Sequence, residues 1–435
     1  MRARGFLRDL RRLTGDASLV SFGQIVSYAY PLVSIPLLSR VLGIEGLGMF
    51  IATLAVLQML VAWTDFGFGF SALRRMAVAK DDAGRESVAA ATLTAKLGLW
   101  AIGSVFLMII VFSVPSLRPH WGLFLIGVLT TIGVALYPMW YLQAVGRLKL
   151  LAFLTAGARL VALAGLVLTV HGVDQVGLAV FWQFLPYPLS ALVCWFVIRR
   201  APDIRLRLTR PAPAREALRD SVPLFVNMIS GQLIVNSSAI LLAQLGSYRQ
   251  VGLFGPADRL TSAIHGVLVS VEQAMLPRVS DAHERPDQPN QRRLILIGLV
   301  LCYSISGLTL TVTAPVIIPW YLGDQFVEAV PIVQVMGVAT VLSGVARTLV
   351  LDLVSAGRTK PPSVVTSLAV GWHIITAGIA AWLWGAIGVA FAVCGTQLFM
   401  ATGLWIATAR GRRRQGQGDT AAPASERPRV GKEIQ

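Results

Sequence analysis

Long apolar segments separated by short polar connections run through almost the whole chain. A helix that crosses a membrane needs about 20 mostly apolar residues, and twelve segments meet that requirement. Their approximate bounds are Leu19–Ser39, Leu47–Phe70, Val88–Phe112, Trp121–Gln143, Leu151–Val170, Val176–Ile198, Val222–Ala243, Val251–Met275, Leu294–Ile318, Val330–Val354, Ser363–Trp384 and Ile387–Ala409. The pattern predicts an all-α polytopic membrane protein with twelve transmembrane helices. Two segments contain a pair of prolines, and we expect a kink in each: Pro31 and Pro36 in the first segment, and Pro186 and Pro188 in the sixth.

The composition excludes a water-soluble globule of this size. Hydrophobic residues make up 55% of the 435 residues and charged residues only 14%, against about 25% charged in an average soluble protein. The three cysteines, Cys194, Cys302 and Cys394, lie far apart inside apolar segments. This spacing argues against a disulfide framework or a metal site, and we expect no metal.

The basic residues are distributed unequally between the two sides of the predicted membrane. The net charge is +16, and 31 of the 38 Lys and Arg residues fall on one side. The other side holds only Arg40, Arg118 and Arg249. Because basic loops stay in the cytoplasm, this asymmetry predicts that both termini are cytoplasmic and accounts for the charge without a nucleic-acid partner.

The connections divide the chain into two halves of six spans. We predict an N-terminal lobe over 1–198, a basic cytoplasmic linker over 199–220, a C-terminal lobe over 221–410 and a disordered cytoplasmic tail over 411–435. The basic N-terminus leads directly into a full-length first span, which we interpret as an uncleaved helix.

A short pattern occurs twice, six helices apart. Leu42–Phe50 and Leu245–Phe254 both contain Leu-Gly, a short polar turn and then apolar-Gly-apolar-Phe at the start of a helix. Two copies with the same orientation predict two parallel lobes around a central cavity near the middle of the bilayer.

Eight ionisable side chains fall inside the predicted spans, where charge is costly and marks functional sites. The cations are Lys96, Arg159, Arg259 and Arg347, and the acids are Asp65, Asp258, Glu272 and Asp352. Helical rise places the first two cations about 12–14 Å from the basic ends of their helices, near the midplane. The alternative for each cation is a structural contact with one of the acids or with a backbone carbonyl. The alternative for Asp65 and Asp352 is a helix cap or a pair with a cytoplasmic arginine.

Six segments carry a family resemblance, in order along the chain. They are Ser39–Phe50, Thr64–Phe68 followed by Arg74, Pro138–Ala144 followed by Gly146, Val251–Leu260, Leu276–Arg278 and Leu322–Phe326. Together they resemble the bacterial oligosaccharide flippases, which transport O-antigen or exopolysaccharide units and belong to the superfamily of multidrug exporters and the lipid II flippase. Pro256 and Arg259 depart from the family pattern in the fourth segment.

The resemblance implies a flippase of the bacterial inner membrane that moves an undecaprenyl-pyrophosphate-linked oligosaccharide to the periplasmic leaflet, for surface polysaccharide or lipopolysaccharide assembly. The four in-span cations would then bind the pyrophosphate, since the planar guanidinium of Arg suits phosphate. Sugar contacts would come from the amides Gln24, Asn227, Gln232 and Asn236, with Trp63, Trp140, Tyr141 and Trp182 as stacking candidates. The alternatives are positions at the membrane interface for the aromatic residues and hydrogen bonds between helices for the amides of the seventh span. Partners would be membrane lipids and the polysaccharide polymerase and chain-length proteins.

Three other functions remain open at this level. A small-molecule or multidrug exporter of the same superfamily would have a similar fold, and the lipid II flippase branch typically has two more helices. A membrane-embedded glycosyltransferase or polymerase would need grouped carboxylates or histidines, and the five histidines are scattered. The chain has no Walker A motif. We therefore expect no cofactor. Any energy coupling would use a proton or sodium gradient, through the four in-span acids.

Overall fold

The computed structural model describes the backbone of residues 2–79, 81–200, 211–284 and 289–421. Within these ranges it does not describe the side chains of residues 2–25, 27–29, 198–200, 211–212, 227, 283–284, 289 and 411–421. The described backbone is built from helices, with no strand among these residues. The protein is therefore all-α, as the sequence predicts.

Thirteen α-helices follow one another along the described chain. They are α1 (Arg2–Asp65), α2 (Phe68–Val78), α3 (Asp82–Ser113), α4 (Trp121–Leu136), α5 (Met139–Ala144), α6 (Leu148–Thr169), α7 (Val176–Phe184), α8 (Pro186–Arg200), α9 (Pro211–Leu245), α10 (Tyr248–Glu284), α11 (Pro289–Leu322), α12 (Val330–Ser355) and α13 (Lys360–Ala421). Three 3₁₀ turns, Arg118–His120, Val173–Gln175 and Asp324–Ala329, connect some of them.

The helices are consistent with the twelve predicted spans. Nine segments among the described residues are long and apolar enough to cross a membrane. Two of the nine contain a sharp bend, at Gly43 (φ 68°) in α1 and at Gly385 (φ 61°) in α13. Glycine is the residue that adopts such positive φ values freely, so each of these segments turns back and supplies two predicted spans. Helix α10 is not among the nine, and its apolar stretch is interrupted by Asp258, Arg259, His265 and Glu272.

Proline breaks two of the predicted spans. The fourth is divided between α4 and α5 at Tyr137 and Pro138, and the sixth between α7 and α8 at Leu185. Proline lacks the backbone N–H that continues a helix. The interruption predicted in the sixth span is present. The one predicted in the first span is not, because α1 stays helical through Pro31 and Pro36 and bends at Gly43.

Two predicted boundaries differ from the observed helices. Helix α9 begins at Pro211, so the second half of the predicted linker is helical. Helix α13 continues to Ala421, eleven residues into the predicted tail. Residues 201–210 and 422–435 lie outside the described part of the chain.

The packing of apolar side chains differs between the two ends of the molecule. We call the end that carries the Lys- and Arg-rich connections the basic side, and the other end the opposite side. On the opposite side one core joins both lobes, with Leu38 and Leu47 from α1 packed in the same cluster as Leu242 and Phe254. On the basic side the cores are separate: one lies around Phe68 in the N-terminal lobe, and two smaller ones lie in the C-terminal lobe. The lobes therefore share one core on the opposite side, whereas on the basic side the first part of α9 packs on the N-terminal core through Ala214 and Ala217.

Close backbone contacts seal the opposite side. A Cβ atom placed on Gly48 would lie 2.8 Å from the backbone nitrogen of Gly252, and closer still to the carbonyl oxygen of Tyr248. A Cβ atom on Gly252 would overlap the carbonyl oxygen of Ile44. Only glycine permits two helices to approach this closely, so α1 and α10 are in direct backbone contact.

Polar contacts reinforce this seal near the bend of α1. The Ser39 hydroxyl donates to the carbonyl oxygen of Leu322 (3.0 Å), and the side-chain amide of Gln325 donates to the carbonyl oxygen of Ser39 (3.0 Å). Arg40 donates to the carbonyl oxygen of Trp320 (3.1 Å). These bonds cross from the N-terminal to the C-terminal lobe.

Candidate functional site

A cavity of about 590 Å³ lies between the helices of the N-terminal lobe and the facing helices α9 and α10. On the basic side its lining includes residues at helix ends, such as Asp65, Gly69 and Gln143. Toward the opposite side the lining ends at Ile35 and Phe50, which belong to the shared core. The cavity therefore opens toward the basic side and is closed at the other end.

Three of the four predicted cations line this cavity. Lys96 comes from α3, Arg159 from α6 and Arg259 from α10. Arg159 and Arg259 each lie 11 residues inside their helix, which places both about 16 Å from a helix end, near the middle of the bilayer. The fold thus brings basic side chains from three helices and both lobes to one water-accessible space.

Lys96 is paired within the cavity wall. Its Nζ lies 3.0 Å from Oδ1 of Asp65, with the Lys96 side chain only 4% exposed and the Asp65 side chain 30% exposed. The geometry here is that of a structural pair between Lys96 and an in-span acid. Asp65 still faces the cavity, so the pair forms part of its lining.

The helix break after Asp65 fixes this carboxylate. Phe66 (φ 47°) and Gly67 (φ 76°) both have left-handed backbone conformations, which end the helix and turn the chain into α2. The Phe66 ring stacks on Phe225 of α9 with centroids 4.1 Å apart. A non-glycine residue at positive φ is strained, and this stack with Phe225 holds the strained turn in place.

Arg159 lies beside an aromatic ring. Its guanidinium carbon lies 6.0 Å from the centre of the Tyr30 ring, within the range of a cation–π interaction. Tyr187 of α8 also lines the cavity. Ring faces stabilise a guanidinium without neutralising its charge, so Arg159 remains a positive group in the cavity wall.

Arg347 does not line this cavity, contrary to the sequence prediction. Its Nε and Nη2 donate to the two carboxylate oxygens of Glu272 at 2.9 and 3.1 Å. The hydroxyl of Tyr303 donates to the same carboxylate at 2.6 Å. A two-pronged Arg–carboxylate pair of this kind is strong and directional, and it holds Arg347 among α10, α11 and α12.

The other predicted acids also lie outside the cavity lining. Asp352 accepts two hydrogen bonds from Arg292 of α11, at 2.7 and 2.6 Å. Asp258 is half-buried on α10 beside Arg259 in sequence, but its side chain is not part of the cavity wall. Of the four acids predicted for ion coupling, Asp65 is therefore the one that the described structure places in the cavity.

The predicted sugar-contacting amides divide in the same way. Gln232 lines the cavity. Asn236 is buried and donates to the backbone and side-chain oxygens of Gln232 at 3.1 and 2.9 Å, which makes it a support for that residue. The side chains of Gln24 and Asn227 lie outside the described residues.

One of the four predicted stacking aromatics lines the cavity, namely Trp140. Trp63 donates to the carbonyl oxygen of Leu99 and Trp182 donates to the hydroxyl of Thr169. Tyr141 belongs to the core of the N-terminal lobe. These three rings serve packing between helices.

Sequence reasoning missed three cavity amides, Gln58, Gln143 and Gln183. Each is an isolated polar residue within an apolar segment. That isolation was the available signal, because a side-chain amide facing lipid would lose its hydrogen bonds. The three residues lie on three different helices, so no local spacing linked them.

Comparison with protein families matches residues 13–283, more than half of the chain, to the family described as "Polysaccharide biosynthesis protein". A relative from Escherichia coli (strain K12), named "Putative O-antigen transporter", is 24% identical over 255 residues. That alignment covers 58% of this chain and 61% of the relative, so the chain matches about three fifths of that protein. A relative of the same name from Shigella dysenteriae is 22% identical over 379 residues, 86% of this chain and 94% of the relative.

Solved structures with the same fold include two transporters. "Lipid II flippase MurJ, inward closed conformation" has a TM-score of 0.72 and 15% identity, with 90% of this chain and 87% of that chain covered. An inward-facing multidrug resistance MATE family transporter of the MOP superfamily has a TM-score of 0.70 and 15% identity, with 93% and 96% covered. At these identities the likeness establishes the fold of a polytopic membrane protein with two lobes.

Proposed function

The chain belongs to the polysaccharide biosynthesis protein family, and on that premise we propose that it is a flippase for an oligosaccharide unit linked to polyprenyl diphosphate. The unit would move from the cytoplasmic to the periplasmic leaflet of a bacterial inner membrane by alternating access. The relatives named as O-antigen transporters support this assignment. The basic side would face the cytoplasm, with both termini there, as the distribution of Lys and Arg favours.

The observation that carries the proposal is a cavity, open to the basic side, with Lys96, Arg159 and Arg259 in its wall. A diphosphate headgroup cannot cross hydrocarbon unaided, since a bare charge at the bilayer centre costs several kcal/mol or more. Two arginines near the midplane offset that cost with charge-assisted hydrogen bonds. The polyprenyl tail can remain in lipid while the headgroup occupies the cavity.

The charge of the cavity also separates this function from the export of organic cations. A cationic drug requires acidic or aromatic contacts, whereas Asp65 is the one acid in the described lining and it is paired with Lys96. A coupling ion gradient and a polymerase or chain-length partner remain predictions from the family resemblance.

The experiment tests the two arginines together. In a cell that lacks this chain, the variant R159Q/R259Q should restore less than a tenth of the surface polysaccharide that the unchanged chain restores, with lipid-linked oligosaccharide accumulating inside. R118Q, which removes an exposed arginine outside the cavity, is the matched control and should restore it fully. Full activity of R159Q/R259Q at equal membrane abundance would refute the proposal.

A further inference from the structure

Two side-chain amides, Gln232 and Asn236, are bonded to each other on α9. Asn236 is only 2% exposed, whereas Gln232 is half-buried and lines the cavity. The Nδ2 atom of Asn236 donates twice, to the backbone carbonyl oxygen of Gln232 at 3.1 Å and to its side-chain Oε1 at 2.9 Å. Residues four positions apart are neighbours on a helix. A buried amide therefore holds an amide of the cavity wall.

These two bonds determine the orientation of both amides. A backbone carbonyl oxygen only accepts hydrogen bonds, so the group of Asn236 beside it must be the NH₂ group. That group has two N–H donors, and the second one also needs an acceptor. The atom of Gln232 that it meets is therefore Oε1. Reversing either amide would place two oxygens or two NH₂ groups against each other.

The fixed orientation makes Gln232 a donor toward a ligand. Its Oε1 already accepts from Asn236. Its Nε2 group has two N–H donors and no acceptor, and it has no hydrogen-bond partner among the described residues. Gln232 therefore offers the cavity two donors that are held in place from behind.

Arg259 lies on the next helix at a similar depth. Gln232 is 13 residues from Leu245, where α9 ends, and Arg259 is 11 residues from Tyr248, where α10 begins. Both of these ends are on the opposite side, and helical rise makes the two depths about 20 and 16 Å. A guanidinium group also donates and never accepts. Among the described lining residues, the polar groups from α9 and α10 are thus both donors.

From this geometry, and resting on the proposed function, we infer that Gln232 binds the diphosphate of the substrate together with Arg259, and that Asn236 positions Gln232. The oxygens of a diphosphate esterified at both ends only accept hydrogen bonds, so they match a surface of donors. Hydrogen bonds to a charged acceptor are roughly twice as strong as neutral ones. A sugar hydroxyl both donates and accepts, and this surface leaves its donor unused. Gln232, which the family resemblance suggests as a sugar contact, is therefore assigned to the headgroup.

The test measures binding to the purified full chain in phosphatidylcholine nanodiscs with two synthetic probes. The first is polyprenyl diphosphate capped with a methyl ester, which has a diphosphate and no sugar. The second carries a disaccharide of two neutral hexoses on the same lipid. Q232L should weaken the binding of both probes by the same factor, at least tenfold, because both contain the diphosphate. N236L should weaken both about fivefold, because Gln232 is no longer held in one orientation.

A double variant separates positioning from a general effect on the fold. Binding to Q232L/N236L should stay within twofold of binding to Q232L, because Asn236 acts through Gln232. A purely structural effect of N236L would lower binding by the same factor in both backgrounds. N236A, which only removes atoms, is measured alongside with the same expectation. Q397L, which replaces a half-buried glutamine of α13 outside the described cavity lining, is the matched control and should leave both probes within twofold.

Three results would overturn the inference alone. They are unchanged binding of the capped probe to Q232L, a loss confined to the disaccharide probe, which would make Gln232 a sugar contact, and independent effects of Q232L and N236L in the double variant. Failure of the unchanged chain to bind either probe would overturn the proposed function as well.

Discussion

Gly48 and Gly252 lie against each other where the two lobes meet, so that a Cβ atom on the first would come within 2.8 Å of the backbone nitrogen of the second. They occupy equivalent places in the two copies of the repeated pattern, each shortly after the turn that opens a helix. The contact between them is therefore a contact between equivalent positions of the two lobes. A side chain added at either glycine must push the lobes apart on the opposite side.

Replacing Gly48 with alanine should loosen the closed end. The added methyl group would overlap the Tyr248 carbonyl, so the closed arrangement loses stability. In a chain whose three cysteines are replaced by alanine, we introduce Leu54→Cys, at a buried position in the cavity wall. A membrane-impermeant maleimide added on the opposite side should label this cysteine at least threefold faster in G48A.

Gly98 provides the control for that experiment. It lies inside α3 and is exposed, and a methyl group added to it would have no atom of the described residues within 4 Å beyond its own stretch of helix. G98A should therefore leave the labelling rate of Leu54→Cys unchanged. An equal effect of G98A and G48A would contradict the role of the Gly48–Gly252 contact.

Breaking the Lys96–Asp65 pair should destabilise the protein. D65A leaves the ammonium group of Lys96, which is 4% exposed, without its carboxylate. We expect a loss of about 2 kcal/mol in the free energy of unfolding, less than for a fully buried pair because Asp65 is 30% exposed. The measurement is denaturant unfolding in detergent micelles.

The double variant K96M/D65A should recover part of that loss, since no unpaired charge remains. The exposed pair Asp82–Arg85, with a separation of 3.7 Å, is the comparison. D82N should change the free energy of unfolding by no more than about 0.5 kcal/mol. A D65A effect as small as that of D82N would show that the cavity pair contributes nothing to stability.

Arg347 and Arg259 should contribute to different properties, Arg347 to the stability of the fold and Arg259 to the binding of substrate. E272Q weakens a pair that holds Arg347 between helices, so we expect the free energy of unfolding to fall by about 1–2 kcal/mol. Binding of the methyl-capped polyprenyl diphosphate to the folded protein should stay within twofold. R259Q should do the reverse, with binding weakened at least tenfold and stability little changed. Loss of binding in E272Q would place this pair in the substrate path.

The stack between Phe66 and Phe225 should hold the first part of α9 on the N-terminal lobe. F225A removes a ring at a centroid distance of 4.1 Å, and we expect backbone amides in Ala214–Phe225 to exchange hydrogen about tenfold faster. F399A, which removes the partner of Trp372 on α13, should leave exchange in that segment unchanged. The readout is hydrogen–deuterium exchange followed by mass spectrometry.

Much of the architecture could be predicted because membrane crossing has a strong local signature. The number of apolar segments, the orientation of the basic connections and the repeat around Gly48 and Gly252 all follow from patterns along the chain. The direct contact between the two glycines did not, because the sequence shows their equivalence and leaves their distance in space undetermined. The break at Pro138 was missed because its flanks are as apolar as a continuous span.

The site was predicted in part for a similar reason. Charged side chains are costly inside a membrane span, and this argument selected Lys96, Arg159 and Arg259 as functional residues. The structure places them in one cavity. The same argument selected Arg347, whose partner Glu272 is 75 residues away. Pairing across helices depends on how helices rotate against each other, which the sequence does not reveal. Gln58 and Gln183 were missed because an isolated amide carries a weaker signal than a charge.

The division of the apolar core has a consequence for ion permeability. One continuous apolar cluster unites both lobes on the opposite side, whereas on the basic side the described apolar residues form separate, smaller clusters. Water that fills the cavity from the basic side is stopped by this apolar cluster, which is several residues thick. A chain at rest in this state should therefore not dissipate the ion gradients across its membrane. Opening this end requires well-packed side chains to separate, and a bound headgroup would have to promote that separation.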